Sequence, residues 1–227
     1  LHTKLFAAER ERTSAVLLQS GPQLRFGSRV CFKSVQAARL GALFTWFAQS
    51  EGDRVCAAAF GERAAQLPAA GTQRGALRVL KALCEWSRPP VMNSAAQPLA
   101  AALDSLDRTL RAGAHVLLLL DPASLDEDAV RSLRRLRRHH DLIAAVLVDP
   151  LEREPLPAGH YRVQTPTGPA LLEVPEHGRP AWQQALRERQ DQALDRLRRA
   201  GAGARLVSTR EDPVFALRDL LRGSPPR

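Results

Sequence analysis

The fold class this sequence predicts is α/β: a doubly wound, Rossmann-like three-layer domain with a mainly parallel central sheet flanked by helices. Three observations point to it. Short apolar runs at 15–18, 116–120 and 142–148 alternate with longer amphipathic stretches, the pattern of buried parallel strands joined by crossover helices. The first run ends in a tight turn, Gln19-Ser20-Gly21-Pro22-Gln23, and ligands of open parallel sheets sit beyond the carboxyl ends of strands. The second run ends on Asp121. If these two strands are neighbours, the expected arrangement, their loops face each other.

With 227 residues, 44% hydrophobic and 25% charged, the chain has a globular composition and the length of one large or two small domains. No apolar run approaches the roughly 18 residues of a membrane span. The longest, 37–48, carries Arg39 and Thr45 and reads as a core helix. No secretory leader pattern opens the chain, so a cytoplasmic protein is expected. Leu1 stands first and Met92 is the only methionine; the expectation is a C-terminal portion of a longer protein.

Residues 1–14 form a polar lead-in containing Glu9-Arg10-Glu11-Arg12, and 15–227 form the domain. After the first turn, residues 33–49 predict a helix; Val35, Ala38, Ala42, Phe44, Trp46 and Phe47 leave it little polar face, so deep packing is expected. Gly52-Asp53 stops it, and 54–60 is a second strand of small apolar residues. Gly61-Glu62 turns the chain into 63–67, an antiparallel edge strand. Residues 72–86 predict a helix with Leu77, Leu80, Leu83 and Cys84 on one side, and 87–96, with Pro89-Pro90, a loop.

Pro98 begins a helix with a stripe of Leu99, Ala102, Leu103, Leu106 and Leu110, stopped at Gly113. After the strand at 116–120, Ser124-Leu125-Asp126-Glu127 reads as a capping box. The helix it opens runs to about 138, with Ala129, Val130, Leu133 and Leu136 inward. The strand 142–148 ends on Asp149-Pro150. The proline-rich stretch 151–178 holds two alternating runs around Thr165-Pro166-Thr167-Gly168, read as a β-hairpin inserted at the sheet edge. A helix at 179–200, a last strand at 204–207 and a closing helix opened by Asp212-Pro213 complete the chain.

The formal charge is +9, yet only Lys4, Lys33 and Lys81 are lysines. The arginines cluster at Arg131, Arg134, Arg135, Arg137 and Arg138 and again from Arg187 to Arg199. They fall mainly on polar helix sides without aromatic interleaving, a solvated face rather than a nucleic-acid surface. Cys31, Cys56 and Cys84 are far apart in apolar contexts and read as reduced core thiols. His139-His140 beside Asp141 sits at a helix end, where adjacent residues do not face each other. Neither a P-loop, a Rossmann glycine pattern nor a Gly-x-Ser-x-Gly elbow occurs, so no catalytic constellation is assigned.

Leu24-Arg25-Phe26-Gly27-Ser28, Phe32-Lys33-Ser34-Val35, Gly52-Asp53-Arg54-Val55, Phe60-Gly61 and Ser208-Thr209-Arg210-Glu211-Asp212-Pro213 stand in one order along the chain. Together with His2-Thr3-Lys4-Leu5-Phe6, they resemble the bacterial domain-of-unknown-function 58 family. That family has a von Willebrand factor A-like domain and is often encoded beside MoxR-type AAA+ ATPases. The resemblance implies a protein-interaction domain, with a MoxR-type ATPase as partner in assembly or maturation of other proteins.

It also implies a place for a metal-ion-dependent adhesion site: an Asp-x-Ser-x-Ser loop after the first strand, a later threonine and an aspartate after the fourth strand. Hard Mg²⁺ takes such oxygen ligands. The matching positions here are Gln19, Gly21, Gln23, Gln97 and Asp121. Asp121 alone keeps its type, so a degenerate site without a divalent cation is expected. Partner contacts are then assigned to Ser20, Gln23, Arg25 and Asp121. Two alternatives stand beside this reading: a doubly wound enzyme using the cleft at Gln19–Gln23 and Asp121, and a basic nucleic-acid-binding domain.

Overall fold

The computed structural model describes residues 12–89, 95–154, 157–165, 168–175 and 181–223. Strands β1 (Thr13–Ser20), β2 (Arg54–Gly61), β3 (Ala65–Ala70), β4 (His115–Leu120), β5 (Asp141–Val148) and β8 (Gly203–Ser208) form a six-stranded sheet in the order β3-β2-β1-β4-β5-β8. Only the β2–β3 pairing is antiparallel within this sheet. The expected adjacency holds: Ala15 pairs with Val116 and Leu18 with Leu119. Strand order reverses between β1 and β4, which makes the crevice at their carboxyl ends a topological switch point.

The apolar runs are continuous because both sheet faces are covered. Val16 and Leu18 pack with Leu117 and Leu119 on one face, Ala15 and Leu17 with Val116 and Leu118 on the other. Helices α1 (Lys33–Ser50), α2 (Gln73–Trp86) and α6 (Pro213–Arg222) cover the first face; α3 (Leu99–Thr109), α4 (Glu127–Arg137) and α5 (Ala181–Arg199) cover the second. Burying a leucine contributes about 2 kcal/mol, so this sandwich of two cores dominates stability. Among the described residues no helix is long and apolar enough to cross a membrane.

Several local expectations need correction. Ser124 does not cap α4: a short 3₁₀ turn, Pro122–Ser124, intervenes, and the cap is Asp126, whose carboxylate accepts from Ala129 N–H at 2.7 Å. The inward face of α2 is Gly75, Ala76, Val79, Ala82, Leu83 and Trp86, leaving Leu77 and Cys84 exposed. Gly75 sets that rotation, because a Cβ there would come within 2.6 Å of the Ala70 side chain. Cys84 is thus a surface thiol, while Cys31 is half-buried and Cys56 buried, and all three are free.

On α1, Phe44 is buried but Phe47 faces out, and Val35, Ala38 and Ala42 line a groove against α2 rather than the core. On α6, Phe215 is exposed while Ala216, Leu217 and Leu220 are inside. The hairpin, β6 (Gly159–Thr165) and β7 (Gly168–Val174), forms its own two-stranded sheet and does not extend the edge of the central one. Its turn residues 166–167, the loop at 90–94 and the lead-in at 1–11 lie outside the described residues; Thr13 and Ser14 already belong to β1.

Candidate functional site

The carboxyl edge of the sheet carries the chain's polar cluster. β1 ends on Gln19-Ser20, β4 runs into Asp121, β5 into Asp149, and Thr209 follows β8. All five side chains are buried.

Gln19 bridges the switch point. Its Oε1 accepts from Asp121 N–H and from the Ser124 hydroxyl, both at 2.7 Å, which ties β1 to the turn after β4. Ser20 is equally occupied: its Oγ donates to Phe60 O at 3.0 Å and accepts from Arg63 N–H at 2.7 Å. Arg25 makes a two-pronged ion pair with Glu62, at 2.7 and 3.1 Å, and so pins the β1–α1 loop to the β2–β3 turn.

The loop itself folds back on α1. Phe26 O and Leu24 O accept from Lys33 and Ser34 N–H at 2.8 and 2.6 Å, satisfying donors that an uncapped helix start would leave open. Gly27 permits this approach, since a Cβ would meet the Cys31 backbone.

Asp121 serves the turn that follows β4 and also meets a cation from α1. Its Oδ1 caps the turn by accepting from Ala123 N–H at 2.9 Å, and its Oδ2 lies 2.7 Å from Lys33 Nζ. Lys33 also reaches Glu152 Oε1 at 2.8 Å. Burial pulls the Lys33 ammonium down, but Asp121 and Glu152 more than offset it, leaving its pKa above the ordinary value. Burial likewise holds the Glu152 carboxyl above its usual range in spite of Lys33.

Beside this cluster, Asp149 is 0% exposed. It accepts from the Ser28 hydroxyl and N–H, from Leu151 N–H and from the Thr209 hydroxyl. Those donors overcome the burial that would raise its carboxyl and leave it below the usual range.

Lys33, Glu152 and Asp149 were not singled out as site residues from sequence. Two signals were available. A lysine in the first turn of an otherwise apolar helix opposes the helix dipole and needs a partner. Asp149-Pro150-Leu151-Glu152 is a capping box, which presents Glu152 in a fixed position.

A cleft of about 420 Å³ opens beside the cluster, lined by Gln19 to Gln23, Phe60 to Glu62, Ala96 to Leu99, Ala123, Ser124 and Asp126. Gln97 enters it through a paired backbone bridge with Gly61, at 2.8 and 3.0 Å. Gly21, Gln23, Gln97 and Ser124 are thus brought together, whereas Asp121 does not line this cleft. The side-chain amides of Gln23 and Gln97 have no hydrogen-bond partner among the described residues.

A family model described as "Protein of unknown function DUF58" matches residues 1–196. The chain belongs to this family. Among solved structures, this DUF58 chain is similar to BatB from Bacteroides thetaiotaomicron, with TM-score 0.61 and 12% identity over 93% of this chain and 98% of that one. It is also similar to an aerotolerance-related membrane protein from Bacteroides fragilis, with TM-score 0.62, 15% identity and the same coverage, 93% and 98%. A von Willebrand factor type A protein from Catenulispora acidiphila matches with TM-score 0.50 and 13% identity over 93% of this chain and 41% of that one. These likenesses establish a von Willebrand A-like fold. No curated protein matches the chain by sequence.

The residues do not fit the divalent cation that the resemblance implies at this edge. Gln19 presents a neutral oxygen already taken by two donors, and Gly21 presents none. The one carboxylate, Asp121, is bonded to an ammonium 2.7 Å away. A divalent ion would have to share that carboxylate with the Lys33 ammonium, whose like charge opposes it. Among the described residues no group of three or more His, Cys, Asp or Glu side chains is placed to hold a metal.

Proposed function

We propose that this DUF58 domain is a cytoplasmic bacterial protein-interaction module. It works with a MoxR-type AAA+ ATPase in the assembly or maturation of other proteins, through a degenerate metal-ion-dependent adhesion site. The observation that carries the reading is how the polar groups at the switch point are used. Gln19, Ser20 and Asp121 are buried and bonded within the domain, while the amides of Gln23 and Gln97 remain open beside the cleft.

Open amides on a shaped rim recognise a partner by direct hydrogen bonds, each contributing about 1 kcal/mol net. Ser20 and Arg25 act indirectly in this scheme, holding the loop that presents Gln23. Asp121 acts more remotely still, through Gln19 and the turn at 122–124.

The test is cross-linking in the bacterial host. A photo-reactive residue placed at Gln23 or Gln97 of the full-length protein is expected to capture the ATPase, identified by mass spectrometry. The same probe at Arg138, on the far end of α4, is expected not to. Equal capture from all three positions would reject the cleft as the docking site.

A further inference from the structure

We infer that the Lys33 ammonium is the resident cation of this domain, a covalently tethered charge that does structurally what a divalent ion on Asp121 would do. The inference rests on the metal-independent reading of the carboxyl edge and gives it a physical cause.

Lys33 is the first residue of α1 and its side chain is 1% exposed. Lysine is almost never fully buried unless paired, and the positive end of a helix disfavours it further. What compensates is a built cage. Asp121 Oδ2 and Glu152 Oε1 lie 2.7 and 2.8 Å from Nζ, and the Phe26 ring centroid lies 5.8 Å away.

Each carboxylate is oriented by a second hydrogen bond on its other oxygen. Ala123 N–H donates to Asp121 Oδ1 at 2.9 Å, and Asp149 N–H donates to Glu152 Oε2 at 2.8 Å. Carboxylates that converge on a cation and are each fixed from behind have the design of a metal centre with its supporting shell. Here the cation arrives on the chain.

The consequence is mechanical. The ammonium joins the start of α1, the turn after β4 and the turn after β5, three loops of the carboxyl edge. A metal would be lost to a chelator; this link is not. Removing it unmasks two carboxylates around a vacated cationic position, which a hard divalent ion suits.

The experiment uses the full chain and reads cation occupancy, so its outcome is independent of whether any partner binds the cleft. Mn²⁺ is titrated by electron paramagnetic resonance and calorimetry up to about 1 mM, and melting is compared in Mn²⁺ and in EDTA. Wild type is expected to bind no Mn²⁺ and to melt identically in both. Lys33→Met is expected to gain one site and to melt several degrees higher in Mn²⁺. Adding Asp121→Asn removes that gain.

Should Lys33→Met not fold alone, it is refolded with and without Mn²⁺: the ion should restore the native circular dichroism spectrum of Lys33→Met, with Asp121 and Glu152 both present, and not that of Lys33→Met with Asp121→Asn. A wild-type Mn²⁺ site lost in Asp121→Asn would overturn the inference. So would Lys33 variants whose melting ignores Mn²⁺.

Discussion

Lys33 Nζ and Asp121 Oδ2, 88 positions apart in the chain, lie 2.7 Å from each other at the carboxyl edge of the sheet. The pair fastens the first helix to the end of the fourth strand. Because the charge is buried, removing one partner leaves the others uncompensated. Lys33→Met is therefore expected to lose about 3–5 kcal/mol of stability, read from urea unfolding at neutral pH. A loss of only about 0.5 kcal/mol, the size of an exposed pair, would show that the ammonium is not held as described.

The two ends of the turn after β4 separate by mutation. Asp126→Ala removes the α4 cap and should cost about 1 kcal/mol. Ser124→Ala removes a donor to Gln19 and should cost a similar amount, but without changing helix fraying. Hydrogen exchange at Ala129 N–H distinguishes them: it should accelerate in Asp126→Ala and stay unchanged in Ser124→Ala. The reverse result would restore Ser124 as the cap.

How much of this was legible beforehand depended on whether the information was local. The strands at 116–120 and 142–148 are unbroken apolar runs and could be read directly. So could the Asp212-Pro213 helix start, which the structure caps through Val214 N–H. Ser124 and Asp126 were not separable, because both are good caps and the choice was made by Gln19, more than a hundred positions away. The face of α2 is not legible in its leucines: Leu77 continues the apolar pattern, while the close approach of Gly75 to Ala70 turns it outward. The contacts of Lys33 with Asp121 and Glu152 were not legible, because only the fold brings together residues 88 and 119 positions apart.

His115 supplies a pH dependence away from the site. It opens β4 with its ring edge-on to Phe44, centroids 5.2 Å apart. Burial pushes its imidazole down from 6.5 to about 4; Arg12 acts the same way, and Asp141 and Asp53 oppose. The unfolded chain therefore takes up the proton first. Stability present above about pH 6.5 should decline as pH falls toward about 4, with no further decline from this group below that. In His115→Phe the decline between about pH 7 and pH 5 should be shallower than in wild type. An unchanged slope would assign that window to other groups.

Gly61 shapes the rim of the cleft. Its φ is +93°, and a Cβ there would collide with the Ser20 carbonyl oxygen. Gly61→Ala combines backbone strain with overpacking and should cost about 3 kcal/mol or more, measured by denaturant unfolding. It should also expose the Gln97 bridge to exchange. A neutral substitution would mean that the β2 end is free to relax.

Recognition at this edge is expected to proceed without a metal bridge. The most direct measurement is a binding isotherm of the full-length protein with the proposed partner, a purified MoxR-type ATPase, in EDTA and again with Mg²⁺ present. Kd values are expected to be equal within about twofold, less than about 0.4 kcal/mol apart. Binding abolished by EDTA and restored by Mg²⁺, with the restoration lost in Asp121→Asn, would contradict it.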